Sequence, residues 1–354
     1  MRLAEMALFE HTEYDGHEQV VFCHDKVTGL KAIIAVHDTT MGPALGGTRM
    51  WNYASSEEAL TDVLRLSRGM TYKSALAGLP LGGGKAVIIG DAKKDKSEAF
   101  FKAYGRFVNS LGGKYITAED VNIRTADIDI VATETSFVAG TASKAGDPSP
   151  HTAEGTYLGL KAAAKHAFGN EDLKGVRIAI QGLGAVGYDF AEYCAKEGAK
   201  LIVADVNEEA VERAVKELGA EAVSIHDIYS VDCDVYAPCA LGATINDDTL
   251  KLIKAKVIAG SANNQLATPA HDKIVKDMGI LYAPDYVINA GGVIHVCSEA
   301  ANFSLEDTAK RVKAIYGTLD KIFTRAKDEN RPTGEIADEM AREILAKKLA
   351  SKTA

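Results

Sequence analysis

Two α/β domains joined by a breaker-rich segment are predicted by three observations. At 354 residues the chain exceeds what one ordinary core organises, so two domains are the natural expectation. After Gly175 it alternates strand, turn, helix and strand (RIAIQG, LGAVG, YDFAEYCAKEG, KLIVAD), as βαβ units around a parallel sheet do. Between these regions Ser143 to Gly155, SKAGDPSPHTAEG, concentrates residues that end regular structure and reads as the link. A cleft is expected between the two domains.

Taken in order, Val20 to Asp38 holds two strand-like runs, VVFCH and LKAIIAVHD, turning at Thr28-Gly29. A Gly-rich segment, MGPALGG, follows. A helix opens at Ser55-Ser56, with Glu57 and Glu58 in its first turn and Leu60, Val63, Leu64 and Met70 at helical spacing. GLPLGGGK ends that helix and feeds a strand, AVIIGD, so Lys85 is expected in a loop at the strand's start. A helix from Ser97 to Leu111 and the strand YITAED complete the first domain. Beyond the link a helix runs from Thr152 to about Phe168. Further strands are expected in DVYAPC, KVIAG and YVINAGG, then two helices separated by Arg331-Pro332-Thr333-Gly334.

Composition narrows the function classes. Hydrophobic content of 47% and charged content of 25% are those of a soluble globular protein. The net charge of −9, with no block of lysine and arginine, argues against nucleic acid and anionic membrane as partners. A small anionic substrate still fits, in a local cationic pocket. The longest apolar runs, such as Ala32 to Val36, are strand-length, and the N-terminus lacks a cleavable signal pattern, so a cytoplasmic protein is expected. Five cysteines without a CxxC pair read as reduced, mostly buried thiols. No clustered-acid pattern suggests a metal.

Gly182-Leu183-Gly184-Ala185-Val186-Gly187 matches GxGxxG, follows the strand RIAIQ and opens a helix. Asp205 lies 18 residues after Gly187 at the end of the next strand, where a ribose-binding acid is expected. Gly182 permits the tight turn, Gly184 admits a pyrophosphate, and Gly187 lets helix and strand approach. The helix N-terminus favours negative charge. An acid at 205 accepts hydrogen bonds from ribose hydroxyls and repels a 2′-phosphate, so a Rossmann domain that binds NAD rather than NADP is expected.

Lys73 and Lys85 bracket SALAGLPLGGG. The phosphate-loop pattern GxxxxGK[ST] fails, because Leu79 and Ala86 stand where Gly and Ser or Thr are required. A lysine in an apolar pocket beside a second cation becomes a base; Lys73 could supply that cation and bind a carboxylate, and Asp120 in TAED could shuttle protons. Taken singly, each lysine reads equally as a solvated side chain, and Asp120 as a helix N-cap before VNIRTAD.

GPALGGTRM, GMTYK, LPLGGGKAVIIGD, YITAEDV, APCALGATIND, VIAGSANNQL and YAPDYVINAGGVI together closely resemble the glutamate/leucine/phenylalanine/valine dehydrogenases. The resemblance runs from about Glu18 to Tyr316 and is nearest the shorter bacterial leucine/valine/phenylalanine branch. It implies that Lys73 holds the substrate carboxylate, that Lys85 and Asp120 are catalytic, and that Thr152, Ala240 and Asn263 adjoin the cofactor. Leu45, Gly46, Gly47, Met70, Ala118, Val293 and Val296 are implied to line the substrate site. The implied reaction is NAD-dependent oxidative deamination of a branched-chain L-amino acid, leucine first with valine and isoleucine, to the 2-oxo acid and ammonia. The implied domains are a substrate-binding and oligomerisation domain of 1–147, completed by a returning helix 333–354, and an NAD domain of 148–332. A homo-oligomer, an octamer by analogy with the branch, is also implied.

Ala118 and Val293 resemble the leucine-specific members, since aromatic-specific members tend to carry Gly and Leu at these places. Asn122-Ile123-Arg124, where leucine-specific members have Gly-Thr-Thr, and His295, where Asn is common, depart from that pattern. The competing readings are a phenylalanine- or tryptophan-preferring dehydrogenase, a 2-hydroxy-acid or malic-type oxidoreductase, and a non-catalytic NAD-binding sensor.

Overall fold

The computed structural model describes residues 8–142, 146–301 and 303–353; three residues of the predicted link, Ser143 to Ala145, lie outside them. The chain forms two compact units: Met1–Gly146 with Glu299–Asn302 and Glu343–Ala354, and Asp147–Ser298 with Phe303–Arg342.

The first unit contains β1 (Gln19–His24), β2 (Lys31–Asp38), β3 (Ala44–Trp51), α1 (Ser56–Leu76), β4 (Gly82–Ile89), α2 (Glu98–Ser110), β5 (Tyr115–Glu119) and α3 (Thr125–Val131). Its sheet has the order β1-β2-β4-β3-β5. β2 is antiparallel to both its neighbours, whereas β4, β3 and β5 run parallel. Helix α1 starts where Ser55 accepts a hydrogen bond from Glu58 N at 3.1 Å, which satisfies one of the N–H groups a helix start leaves orphaned. Its Ala59, Leu60, Val63 and Leu64 bury against Ile33, Ala35 and Val87 of the sheet, each large aliphatic contributing about 1.5–3 kcal/mol of transfer free energy. On the opposite face Ala86, Ile88, Ala44 and Met50 pack with Phe100, Phe101 and Tyr104 of α2.

MGPALGG, expected only as a Gly-rich segment, is largely strand: β3 runs through Gly46 and Gly47. β4 likewise begins at Gly82, so Lys85 sits inside a strand and not in a loop before one. In both places glycine answers to close backbone approach, which local propensity registers only as a penalty. A Cβ at Gly46 would lie 1.7 Å from Gly84 O.

The second unit contains α4 (Ser149–Phe168), β6 (Arg177–Gln181), α5 (Ala185–Lys196), β7 (Lys200–Ala204), α6 (Glu208–Leu218), β8 (Glu221–Ala222), β9 (Val235–Pro238), β10 (Val257–Ile258), α7 (Ala270–Asp277), β11 (Leu281–Tyr282), α8 (Asp285–Ile288), α9 (Gly291–Ala300), α10 (Leu305–Glu329) and α11 (Thr333–Thr353), the last of which passes from the second unit to the first after Arg342. Its sheet is parallel throughout, with order β11-β10-β9-β6-β7-β8. The order reverses between β6 and β9, and that switch point is where doubly wound sheets bind ligands. YVINAGG, expected as a strand, is instead the short helix α8 followed by the start of α9. Pro284 precedes it and Asp285 occupies its first turn, both helix-start features. Ile288 buries against α4 and α10 rather than in the sheet: a Cβ at Gly159 would touch both Ile288 and Leu319.

Candidate active site

Strand alternation assembles the site residues of the first unit. Leu45 pairs with Gly83 and Ile116, and Gly47 pairs with Ala118. Because successive side chains point to opposite faces, Leu45, Gly47 and Arg49 of β3 share one face with Gly83, Lys85 and Val87 of β4 and with Ala118 of β5. It is the face that α1 covers: a Cβ at Gly83 would stand 2.0 Å from Thr71 N. Met70 and Lys73, half-buried, lie on that helix on either side of Thr71.

Asp120 follows β5 directly. It does not cap α3, whose N-cap is Arg124. A Cβ at Gly47 would come within 2.9 Å of Asp120 Cβ and 2.4 Å of Glu119 O, so a bare strand at 47 is what lets Asp120 approach. Lys85, 6% exposed, donates from Nζ to Asp120 Oδ2 at 2.6 Å. Arg49 Nε donates to the same oxygen at 3.2 Å, and its Nη1 donates to Asp62 Oδ2 at 3.1 Å. Asp62 also accepts from Tyr53 Oη at 2.6 Å. Burial alone would raise the Asp120 carboxyl, but the Lys85 and Arg49 charges outweigh it and hold the group below the ordinary aspartate value. Leu45 and Ala118 are buried apolar neighbours on this face.

Arg49, Asp62 and Tyr53 were not singled out from the sequence. The signal was there: had MGPALGGTRM been read as a strand, alternation would have set Arg49 on the face of Gly47.

Asn122 takes φ +61°, a left-handed conformation that glycine adopts freely and asparagine tolerates best among side-chain residues. Its Nδ2 donates to Met50 O at 3.0 Å. The replacement of the Gly seen in leucine-specific members is therefore a turn substitution. Asp127 accepts from Arg124 N at 2.9 Å at the start of α3.

The remaining predicted site residues belong to the second unit, and they suit a dinucleotide. Gly182 takes φ +102°, and a Cβ there would meet Ala240 at 2.6 Å, which joins the ends of β6 and β9 at the switch point. A Cβ at Gly187 would stand 2.1 Å from Gly182 O, whereas one at Gly184 would meet open space. Gly184 is the N-cap of α5 and has no side-chain cap bond. A hollow of about 340 Å³ lies over it, lined by Leu183, Ala185, Asn207 and Arg213 among others. Val186, half-buried, follows in the first turn of α5. Uncapped N–H groups facing a hollow are what a pyrophosphate requires. Asp205 accepts from Leu183 N at 2.5 Å and Asn207 N at 2.7 Å, which fixes the carboxylate at the end of β7.

Thr152, in the first turn of α4, donates to Pro148 O at 3.0 Å. A Cβ at Gly291 would lie 1.9 Å from His151 O, and one at Gly292 would lie 3.0 Å from Thr152 Oγ1. α4 and α9 therefore meet backbone to backbone. Val293 and Val296 are half-buried on α9. His295 packs against His151 with ring centroids 5.0 Å apart. Asn263 accepts from the buried Asn289 at 2.7 Å; Asn289 is a further residue that the sequence reading did not single out.

Residues 17–137 match the model of the Glu/Leu/Phe/Val dehydrogenase dimerisation domain, and residues 203–348 match that of the glutamate/leucine/phenylalanine/valine dehydrogenases. The chain belongs to this family. A leucine dehydrogenase of Geobacillus stearothermophilus is 58% identical over 96% of this chain and 94% of its own. A valine dehydrogenase of Streptomyces coelicolor is 48% identical over 95% and 94%. The crystal structure of L-tryptophan dehydrogenase from Nostoc punctiforme superposes with a TM-score of 0.85 at 44% identity, covering 94% of this chain and 97% of that one. Like other members of the Glu/Leu/Phe/Val dehydrogenase family, the protein is an amino-acid dehydrogenase, an oxidoreductase that depends on a nicotinamide cofactor. No helix among the described residues is long and apolar enough to cross a membrane.

Proposed function

We propose that the protein catalyses the reversible oxidative deamination of a branched-chain L-amino acid, leucine first with valine and isoleucine accepted, to the 2-oxo acid and ammonia, with NAD as cofactor. The observation that carries this reading is the pair of buried Lys85 and half-buried Asp120 on a sheet face where Leu45 and Ala118 are apolar. A glutamate side chain would need a further cation there, since Arg49 is already paired with Asp62 and Asp120. Relatives named leucine and valine dehydrogenase at 58% and 48% identity support it.

Lys73 binds the substrate carboxylate. The bound nicotinamide supplies one thing, an acceptor for the α-hydrogen as hydride, and the substrate is left as an imine. Lys85 passes its proton to Asp120 along their 2.6 Å hydrogen bond, and the neutral amine takes a proton from water as the water oxygen attacks the imine carbon. Asp120 protonates the amine nitrogen, ammonia leaves as the C–N bond breaks, and the hydroxyl proton returns to the Asp120 carboxylate as the carbonyl of the 2-oxo acid forms. Gly46 and Gly47 keep the strand bare beside the reacting carbon, while Met70, Val293 and Val296 contact the side chain. Thr152, Ala240 and Asn263 hold the nicotinamide end, Gly182 to Gly187 hold the pyrophosphate, and Asp205 selects NAD by repelling a 2′-phosphate. In this reading the first unit binds substrate and carries the oligomer contacts, the second binds NAD, and the protein is a cytoplasmic octamer.

The test is NADH formation on L-leucine, L-valine, L-phenylalanine, L-tryptophan, L-glutamate and L-lactate, beside a Lys85→Ala variant. Turnover led by leucine or valine, with ammonia released and kcat reduced about 10²–10⁴-fold in the variant, is expected. Aromatic preference would overturn the substrate assignment. NAD binding without turnover on any amino acid would leave a sensor.

A further inference from the structure

Arg49 belongs to none of the roles assigned above, yet it touches the reacting pair. It stands on β3 two residues past Gly47, with its side chain four-fifths buried. One end of the guanidinium meets Asp120 Oδ2 at 3.2 Å, the oxygen that also receives Lys85 Nζ at 2.6 Å. The other end meets Asp62 of α1 at 3.1 Å, and Tyr53 donates to that same Asp62 oxygen at 2.6 Å. A guanidinium offers its donors in a rigid plane and stays charged at every working pH. It can therefore bind two carboxylates at fixed separation without exchanging protons with either.

We propose that Arg49 is a positioning residue for the reaction: it pins Oδ2 of Asp120, and Asp62 and Tyr53 anchor its guanidinium to α1. This rests on the reading of Asp120 as the proton carrier. The chemistry needs such a residue at one moment. When Lys85 gives its proton to Asp120, the lysine's charge is gone, and a half-buried carboxyl with no cation beside it would keep the proton. Arg49 is then the cation still on Oδ2, and its field favours release of the proton to the amine nitrogen or back to Lys85. The link to Asp62 also ties Asp120 to the helix that carries Met70 and Lys73, so proton carrier and carboxylate binder share one support.

The test uses the full-length enzyme as Arg49→Met, Arg49→Lys and Asp62→Asn, with Asp120→Asn as control, and measures kcat and KM for L-leucine across the pH range. Arg49→Met should lower kcat about tenfold or more, change KM little, and move the acidic limb of kcat/KM to higher pH. Arg49→Lys should return that limb toward wild type while kcat stays low, because an ammonium holds charge but not two fixed contacts. Asp62→Asn should lower kcat with the limb in place. An unmoved limb in Arg49→Met overturns the inference. If that protein does not fold, wild-type kcat in both Arg49→Lys and Asp62→Asn overturns it. Full activity in Asp120→Asn would sink the proton-carrier reading itself, whereas an inactive Asp120→Asn beside an unmoved limb sinks the role of Arg49 alone.

Discussion

His17 shows how far one buried side chain can set the conditions under which the site exists. It is 5% exposed, and its Nε2 lies 3.1 Å from both Leu64 O and Ser67 Oγ of α1. His37 packs against it at 4.7 Å and reaches Thr71 Oγ1 at 2.8 Å. Burial, and then the neighbouring His37, lower His17 to about 4, and burial lowers His37 as well. Between that value and the ordinary histidine value of 6.5, the unfolded chain binds a proton that the folded one refuses. Stability is therefore full above the upper bound and falls as pH drops through the window. Urea midpoints measured above and within that window should show the loss in wild type and a smaller loss in His17→Gln; an equal loss in both would exclude His17 as its source. At this scale the sequence was informative where chemistry is local. Lys73, Lys85, Asp120 and the glycines of the nucleotide loop could be named from their motifs. Arg49 and Asn289 were not, since their partners Asp120 and Asn263 lie 71 and 26 residues away, and only strand alternation in MGPALGGTRM pointed to Arg49.

At the scale of elements, glycine decides where helix and sheet can meet. α1 lies on β4 because Gly83 has no side chain, and Thr71 N occupies the space a Cβ would need. Gly83→Ala should push away the helix that carries Met70 and Lys73, cost roughly 1–3 kcal/mol as overpacked sites do, and raise KM for the amino acid more than for NAD. Denaturant midpoints with both KM values test this; a variant that matches wild type in all three would show that the contact can relax. Amphipathic helices, βαβ alternation and the β1–β2 turn were legible, since their signals lie in periodicity and capping. β3, the start of β4 and the helical state of YVINAGG were not. Glycines pressed against a neighbouring backbone look like loop residues, and a short apolar run has no period that separates a strand from a helix buried among helices.

For the whole molecule, ligand binding should report on the second unit. A ligand that binds only the folded state stabilises by RT ln(1 + [L]/Kd), about 2.7 kcal/mol at a hundredfold excess over Kd. NAD should therefore raise the unfolding temperature clearly and NADP little, and Asp205→Ser should narrow the difference between them. Equal shifts by both cofactors in wild type would remove the role given to Asp205. The amino-acid sequence by itself determined the two α/β units, the nucleotide-loop fingerprint and the dehydrogenase family, because periodicity, turn residues and motif spacing are short-range properties written in consecutive residues. Only the tertiary structure decided that Lys85, Asp120 and Arg49 converge on one carboxylate oxygen, and that Gly47 clears the space for it. Those facts follow from the register of three parallel strands, and register is fixed by burying one whole face against a helix, which no local stretch of chain encodes.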